Sequence, residues 1–224
     1  MAPPTTVLVV APHMDDETLG LGGVIARHVA EGDQVDVCFV AHRVYQHRFD
    51  EAANVRERGH ALLARSVLGY RNAVFLDLPD ERLDASVQQI VIALEEQIAH
   101  RPAVVYLPHR GDNNQDHRAV FAAARVVFRP AASPWLRRLL CYEVPSSTEQ
   151  SPPLPETAFL PNYYVNIELF VDKKFEAVRC YETERRVFPH PRSEEALRNL
   201  AGRRGIEAGF SAAEAFMILR DRRE

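Results

Sequence analysis

Apolar runs of β-strand length alternate with segments of helical periodicity along much of this 224-residue chain. Most of these runs are near-continuously apolar, which is typical of strands that are covered on both faces. The strand–helix–strand order favours parallel pairing with right-handed crossovers. The sequence therefore predicts an α/β fold, a Rossmann-like three-layer sandwich with a mostly parallel sheet. The predicted strands are residues 5–11, 34–41, 72–78, 103–108 and 139–144, and the predicted helices are residues 19–31, 51–68, 84–100 and 116–128.

The second half of the chain departs from this alternation. A Pro- and Ser-rich stretch predicts an irregular excursion around residues 145–162. Beyond it, "YYVNIELF" is interpreted as an edge strand and "DKKFEAVRCYETERR" as a helix, and a last helix is expected to begin near Ser193. Acidic residues stand between the arginines of the tail, which favours a solvated helix face there. Without an internal repeat, residues 1–224 are expected to form a single domain.

Composition excludes several classes of protein. The net charge is −4 and no basic run is present, which argues against a nucleic-acid partner. No apolar run approaches the roughly 20 residues of a membrane span, and the N-terminus lacks the features of a signal peptide. The three cysteines, Cys38, Cys141 and Cys180, are odd in number and widely spaced, so no disulfide framework is predicted. These features predict a cytoplasmic protein without a membrane span.

Imidazole and carboxylate side chains gather where two of the predicted strands end. In open α/β sheets, ligands bind at the carboxyl ends of the strands, and the first and fourth strands are expected to be neighbours at the switch point. Their loops should therefore face each other. The side chains concerned are His13, Asp15 and Asp16 after the first strand and His109, Asp112, Asp116 and His117 after the fourth.

Nitrogen and oxygen donors with one open position are typical of a catalytic zinc site. A bound cation would also relieve the repulsion between carboxylates placed so close together. Adjacent side chains point apart, so Asp15 and Asp16 do not easily share one ion, which leaves Asp15 free to act as a base. Either His109 or His117 could complete a set of three ligands.

The two clusters carry a resemblance to a known family. "PHMDDETLGLGG" resembles the signature of the PIG-L/LmbE family of zinc-dependent de-N-acetylases, and "PHRGDNNQDHRAV" resembles the second motif of that family, which ends in Asp-His. "YEVPSST", "KFEAVRCYETERRVFPHPRS" and "AEAF" are similar to segments of one bacterial branch. The resemblance covers nearly the whole chain.

The resemblance implies His13, Asp16 and His117 as zinc ligands and Asp15 as the general base. It further implies that water activated at the metal removes the acetyl group from an N-acetylated amino sugar or sugar conjugate, with Fe²⁺ or Co²⁺ as other metals that fit such a site. A small-molecule substrate and a homo-oligomer follow from the same resemblance. We expect Asp116 or Asp112 to orient an imidazole through its second nitrogen.

One departure from the family pattern concerns the proton donor. Many family members have a histidine where this chain has Asn114, which can donate a hydrogen bond but cannot transfer a proton. Protonation of the leaving amine is therefore assigned either to Asp15 or to another group such as His190.

Three further residues are expected to contact the substrate or the oxyanion. Arg56, ahead of Arg58, is the candidate to stabilise the oxyanion. Arg192 and the neighbouring histidine lie in "FPHPRS", where two prolines stiffen the chain, so they are candidates for substrate contact.

Two other functions agree with the same residues. One is an amidase that acts on another N-acyl metabolite or on a thiol-sugar conjugate. The other is a metal-binding protein that has lost turnover, because Asn114 removes a proton donor.

Overall fold

A computed structural model of the protein describes residues 4–45 and 47–223. Five short 3₁₀ helices accompany nine strands and six α-helices in this part of the chain. The strands are β1 (Thr6–Ala11), β2 (Gln34–His42), β3 (Val44–Tyr45), β4 (Arg48–Phe49), β5 (Asn72–Pro79), β6 (Val104–Pro108), β7 (Arg138–Tyr142), β8 (Tyr163–Asn166) and β9 (Ala213–Asp221). The α-helices are α1 (Asp16–Ala30), α2 (Glu51–Leu68), α3 (Val87–Gln97), α4 (Gln115–Val127), α5 (Val171–Cys180) and α6 (Glu194–Ala208). The 3₁₀ helices are Leu83–Ser86, Ile98–His100, Thr148–Gln150, Glu168–Phe170 and Glu182–Glu184.

Seven strands form one sheet in the order β5-β2-β1-β6-β7-β9-β8. The first five pair in parallel, whereas β9 runs antiparallel to both β7 and β8. The predicted α/β architecture with a mostly parallel sheet is confirmed. The order β2-β1-β6 also makes the first and fourth predicted strands neighbours, as expected, so the loops that follow them lie at the same edge of the sheet.

Apolar layers cover both faces of the sheet. Alternate residues of β1 show the division, since Val7 and Val9 pack in the layer beneath α1 and α5, whereas Leu8 and Val10 pack in the layer beneath α3 and α4. Because successive side chains of a strand point to opposite faces, the continuous apolar run predicted a strand buried on both sides. Among the described residues, no helix combines the length and apolarity that a membrane crossing needs.

The tail corrects one prediction. Residues 213–221 form β9 rather than a solvated helix, and the first four residues of this strand are buried. An antiparallel place between β7 and β8 satisfies both edges of this segment with backbone hydrogen bonds. The predicted edge strand is β8, whereas the helix that follows it ends at Cys180, earlier than predicted. The hairpin of β3 and β4 was not predicted.

Helix α1 starts at the end of the sheet where the candidate site lies, and it packs very closely against its neighbours. A Cβ atom added to Gly20 would lie 2.5 Å from Cδ2 of Tyr142, and one added to Gly23 would lie 2.9 Å from the side chain of Ile167. The backbone of α1 leaves helical geometry at Leu21, where φ is −151° and ψ is 27°. The glycines of "GLGG" therefore allow a broken helix to lie directly against the sheet.

Candidate metal centre

Three buried side chains converge at the carboxyl ends of β1 and β6. His13 follows β1, Asp16 is the first residue of α1, and His117 lies in the first turn of α4. Their exposed fractions are 6%, 1% and 2%. The parallel pairing of β1 and β6 brings the three together across about a hundred residues of sequence.

The three ligand-type atoms form a nearly equilateral triangle. Nδ1 of His13 lies 3.2 Å from Nε2 of His117, and Oδ2 of Asp16 lies 3.5 Å and 3.4 Å from these two nitrogens. A tetrahedral ion with bonds of about 2.0 to 2.1 Å separates its ligand atoms by about 3.3 to 3.4 Å. The triangle therefore has the dimensions of one face of a zinc tetrahedron, and its nitrogen and oxygen donors suit that ion.

The second nitrogen of each imidazole faces a carboxylate. Nε2 of His13 lies 3.0 Å from Oδ1 of Asp80 and 3.3 Å from Oδ2 of Asp116, and Nδ1 of His117 lies 3.3 Å from Oδ2 of Asp112. A proton held at these outer nitrogens leaves the inner nitrogens bare to bind a cation. The expectation that Asp116 and Asp112 face the imidazoles agrees with this geometry.

Asp80, which directly follows β5, also belongs to the cluster and is a residue that the sequence analysis missed. Its neighbour Pro79 pairs with His42 in the sheet, and the N–H of Ala41 donates to the carbonyl of Pro12. This register carries Asp80 to His13. The signal in the sequence was position alone, since strand pairing at this edge cannot be read from the residues.

The outer carboxylates are themselves held in place. Asp116 accepts hydrogen bonds from the backbone N–H groups of Glu81 (2.7 Å) and Leu83 (3.0 Å). Asp112 accepts from the hydroxyls of Ser147 and Thr148. The imidazoles therefore have a rigid surrounding shell.

The pKa values of the triangle reflect the carboxylates that surround it. Burial alone would lower the pKa of His13, but the carboxylates of Asp116, Asp16 and Asp80 outweigh burial and raise it well above the usual range. Burial opposes protonation of His117 too, yet the charge of Asp16 helps to raise its pKa to about 9. Burial would raise the pKa of Asp16, but the two imidazolium groups outweigh burial and hold this pKa well below its usual range. The negative cluster takes up protons where a divalent cation would replace them.

Asp15 is buried beside the triangle and is held in a strained conformation. It is 2% exposed, and its φ of 129° lies in a region that residues with a side chain rarely adopt. Nη1 of Arg192 donates to its Oδ2 at 2.9 Å. Burial raises the pKa of Asp15 to about 6, with Arg192 and Arg43 opposing the rise and Asp16 adding to it.

Arg192 joins the candidate base to the second half of the chain. Its Nη1 also donates to Oε2 of Glu184 at 2.7 Å, and its Nε donates to Oγ of Ser146 at 2.6 Å. Glu184 accepts from Arg43 as well. These contacts fix the guanidinium against Asp15. The loop "FPHPRS" therefore reaches the site. Arg192 was predicted to contact the substrate, and in the structure its guanidinium contacts an aspartate there.

Glu17 lies beneath Asp15 and is fully buried. Its carboxylate accepts from the hydroxyl of Tyr181 at 2.6 Å and from the N–H of Asp15 at 3.2 Å. Burial raises the pKa of Glu17 to about 8. The hydrogen bond from Tyr181 opposes this rise, whereas the charge of Asp15 adds to it. Glu17 thus supports the strained turn at Asp15 from below.

Several predicted site residues lie elsewhere or serve the backbone. The side-chain oxygen of Asn114 accepts from the N–H of Asp116 at 2.8 Å and caps α4. Nδ1 of His190 accepts from the N–H of Arg192 at 3.1 Å, which leaves it as a loop contact. His109 donates from Nε2 to the carbonyl of Thr157 and is not part of the triangle.

The placement of Arg56 does not fit the prediction that it stabilises an oxyanion. Its side chain is half exposed on the outer face of α2 and pairs with Glu57 at 3.5 Å. Arg58 pairs with Asp77 and lies over the ring of Phe75. Arg56 and Arg58 thus pair with acidic residues of α2 and β5, whereas Arg192 donates to Asp15 beside the triangle.

A cavity of about 850 Å³ adjoins the cluster on the side of Asp80 and Asp116. Its lining combines charged and amide side chains with the ring of Phe49, which meets that of His42 edge to face. Another cavity of about 840 Å³ lies among the amino ends of β1, β6 and β7 and is lined neither by the triangle nor by the carboxylates that face it. The cavity beside the cluster is large enough for a small ligand to approach it.

The fold and the site together define a member of a known family. The chain belongs to the PIG-L family, because the family model described as GlcNAc-PI de-N-acetylase matches residues 8–128. The family predicted from the two motifs is thus confirmed, and the match contains His13, Asp15, Asp16 and His117.

Particular relatives resemble the chain over different lengths. The uncharacterized deacetylase YaiS of Escherichia coli (strain K12) is 28% identical over 147 residues, which are 63% of this chain and 75% of the relative. The conserved protein TT1542 of Thermus thermophilus is 26% identical with a TM-score of 0.79, and the alignment covers 98% of this chain and 97% of that one. The N,N'-diacetylchitobiose deacetylase of Pyrococcus horikoshii is 21% identical with a TM-score of 0.74, over 95% of this chain and 83% of that one.

Proposed function

We propose that this protein is a zinc-dependent deacetylase that hydrolyses the acetamide of an N-acetylated amino sugar or sugar conjugate. The observation that carries the proposal is the triangle of His13, Asp16 and His117, whose edges of 3.2 to 3.5 Å suit a tetrahedral ion. The buried carboxylate of Asp15 beside it supplies a base. The sugar part of the proposal is supported by the description of the family and by the chitobiose deacetylase of similar fold.

Zinc held by His13, Asp16 and His117 would polarise the acetamide carbonyl and acidify the attacking water. The imidazoles are prepared for that role, because Asp80 and Asp116 face the outer nitrogen of His13 and Asp112 faces that of His117. Fe²⁺ and Co²⁺ accept the same donors.

Asp15 is assigned the proton transfers. A carboxylate whose pKa is about 6 is ionised near neutral pH and is basic enough to accept a proton from the attacking water. Once protonated, Asp15 can return that proton to the leaving amine, since Asn114 caps a helix and has no proton to give. His190 is tied to the backbone of its own loop, so the structure favours Asp15 as both base and acid. The products are acetate and a free amine.

Arg192 is assigned a positioning and electrostatic role. Its guanidinium lies 2.9 Å from Oδ2 of Asp15 and is fixed from behind by Glu184 and Ser146. It therefore orients the carboxylate and favours its ionised form.

We also infer that the protein works in the cytoplasm. The buried free thiols of Cys38 and Cys141 suit a reducing compartment.

The test is acetate release by the purified protein loaded with zinc. N-acetylglucosamine, N,N'-diacetylchitobiose and a nucleotide-linked N-acetyl sugar are compared with N-acyl amino acids and an acetylated thiol-sugar conjugate. Release from the sugars, lost in Asp15→Asn while zinc stays bound, supports the proposal. Release from the other amides alone would favour the broader amidase. Stoichiometric zinc binding without release from any of these amides would favour a metal-binding protein that has lost turnover.

A further inference from the structure

A buried ion pair stands in the break of α1. Lys174 on α5 and Glu214 on β9 meet at 2.5 Å, and their side chains are only 5% and 4% exposed. The helix leaves helical geometry at Leu21, between the residues that the pair contacts. The pair is thus enclosed by three elements that are distant in sequence.

The pair replaces the backbone hydrogen bonds that the break removes. Oε1 of Glu214 accepts from the N–H of Gly23 at 3.1 Å, and Oε2 accepts from the N–H of Val24 at 2.7 Å. Nζ of Lys174 donates to the carbonyl of Leu19 at 2.9 Å. The carboxylate therefore caps the second part of α1, and the ammonium caps the first part.

Stability alone gives little reason for two charges at this place. The free-energy cost of removing both ions from water offsets their mutual attraction. Apolar side chains of similar volume often stabilise a core equally well. What an apolar pair cannot do is bind two N–H groups and a carbonyl at a fixed break. The charges therefore define the geometry of α1 more than they add to its stability.

The part of α1 before the break carries one residue of the candidate centre, Asp16, and Asp15 directly precedes it. Only about one turn of helix, from Asp16 to Gly20, lies between that centre and the break. Such a short turn has no stability of its own. Its anchors include the hydrogen bond from Tyr181 to Glu17, the close approach of Gly20 to Tyr142 and the hydrogen bond from Lys174 to the carbonyl of Leu19.

We propose that the Lys174–Glu214 pair is a positioning element of the metal centre, which sets where Asp15 and Asp16 stand relative to His13 and His117. The inference rests on the proposed zinc site and adds residues outside its immediate surroundings. Neither Lys174 nor Glu214 touches the ligands or the reacting groups.

The test compares zinc affinity in Glu214→Gln and Lys174→Met with that of the wild type, at a temperature where circular dichroism shows each variant fully folded. Glutamine keeps one acceptor oxygen, so one of the two N–H groups loses its partner. The matched control is Asp33→Asn, which removes a partly buried contact with His28 at the other end of the same helix. Affinity is measured by competition with a chromophoric chelator, and the visible spectrum of the Co²⁺ form reports ligand geometry.

We expect both variants to bind zinc about tenfold or more weakly and to change the Co²⁺ spectrum, since shifts around metal ligands have effects of about 10- to 100-fold. Asp33→Asn should bind as the wild type does. If the two variants fail to fold, Gly22→Ala replaces them, because its Cβ would lie 3.3 Å from Cγ of Lys174 and displace the pair slightly.

The outcomes separate this inference from the proposed function. A wild type that binds no zinc overturns both. A wild type that binds zinc, with unchanged affinity and Co²⁺ spectra in the folded variants, overturns the positioning role and leaves the proposed function standing. An equal loss of zinc affinity in Asp33→Asn would also overturn the positioning role, since the effect would then be a general loosening of α1.

Discussion

Replacing Arg192 by methionine should move the acid limb of the pH–rate profile towards higher pH. Arg192 is the group that most opposes the raised pKa of Asp15, and it lies 2.9 Å from the carboxylate with 19% of its side chain exposed. Removing its positive charge makes the anion of Asp15 less favourable. The pKa of Asp15 therefore rises, and a higher pH is needed before the base is ionised.

The size of the pKa shift follows from the distance between the charges of Arg192 and Asp15. Two unit charges at about 4 Å attract by about 4 kcal/mol at an effective dielectric constant of about 20, which corresponds to about 3 pH units. Measured effects of one opposite charge are about 1 to 3 pH units. The acid limb of the profile should therefore move by about 1 to 3 pH units in Arg192→Met relative to the wild type.

The assay is kcat/KM for acetate release between pH 5 and pH 10 with saturating zinc. Zinc bound beside Asp15 would lower its pKa in every variant, so the comparison depends on the difference between variants and not on the absolute value. Arg192→Lys keeps the charge and should shift the limb less. Arg186→Met is the matched control, because Arg186 pairs with Glu184 at 3.5 Å from the same loop.

Two results would refute this reasoning. One is an acid limb that stays in place in Arg192→Met. The other is a loss of activity that is equal at all pH values, because that would make Arg192 a substrate contact and not a partner of the base.

The remaining predictions concern the base, the ligands, the buried acid and the packing of α1. Asp15→Asn should keep zinc binding by equilibrium dialysis and lower kcat by about 10²- to 10⁴-fold; full activity would exclude Asp15 as base. His117→Ala should abolish the rise in melting temperature that zinc gives the wild type, which at a hundred times Kd corresponds to about 2.7 kcal/mol; an unchanged rise would place the metal elsewhere. In the metal-free protein, Glu17 with a pKa of about 8 binds its proton more tightly than in the unfolded chain, whose value is 4.5. The contribution of Glu17 to the free energy of unfolding should therefore fall by up to about 1.4 kcal/mol per pH unit as pH rises between these values, and urea unfolding of Glu17→Gln should lack this contribution. Parallel plots of unfolding free energy against pH for the wild type and Glu17→Gln would contradict this prediction. Gly20→Ala should destabilise the protein by about 1 to 3 kcal/mol because of Tyr142, whereas Gly59→Ala, with open space around it, should stabilise it by about 0.5 to 1 kcal/mol; equal effects would contradict the close packing.

The parallel part of the fold could be predicted from the sequence because its signals are local. Strands β1, β2, β5 and β6 are apolar runs that are each followed by a helical pattern, and the handedness of the crossovers leaves few topologies. The two motifs lie at predicted strand ends, which grouped His13 and Asp16 with either His109 or His117, and the family resemblance favoured His117. The geometry of the triangle agrees with that grouping.

What the sequence could not provide depends on long-range contacts. Asp80 joins the cluster through the register between β2 and β5, and no local pattern encodes that register. Strand β9 was missed because its residues follow a helix and resemble its continuation. The pairing of Glu214 with Lys174 depends on this strand.

The loop that carries Arg192 has a consequence for how such enzymes can diversify. The three candidate ligands and Asp15 lie within residues 8–128, which the family model matches, whereas Arg192 and Glu184 approach Asp15 from outside that region. One part of the gene can therefore preserve the chemistry while another part changes the acidity of the base. Relatives that share the same ligands but differ in this loop should work best at different pH values, and exchanging the loop alone should transfer that property.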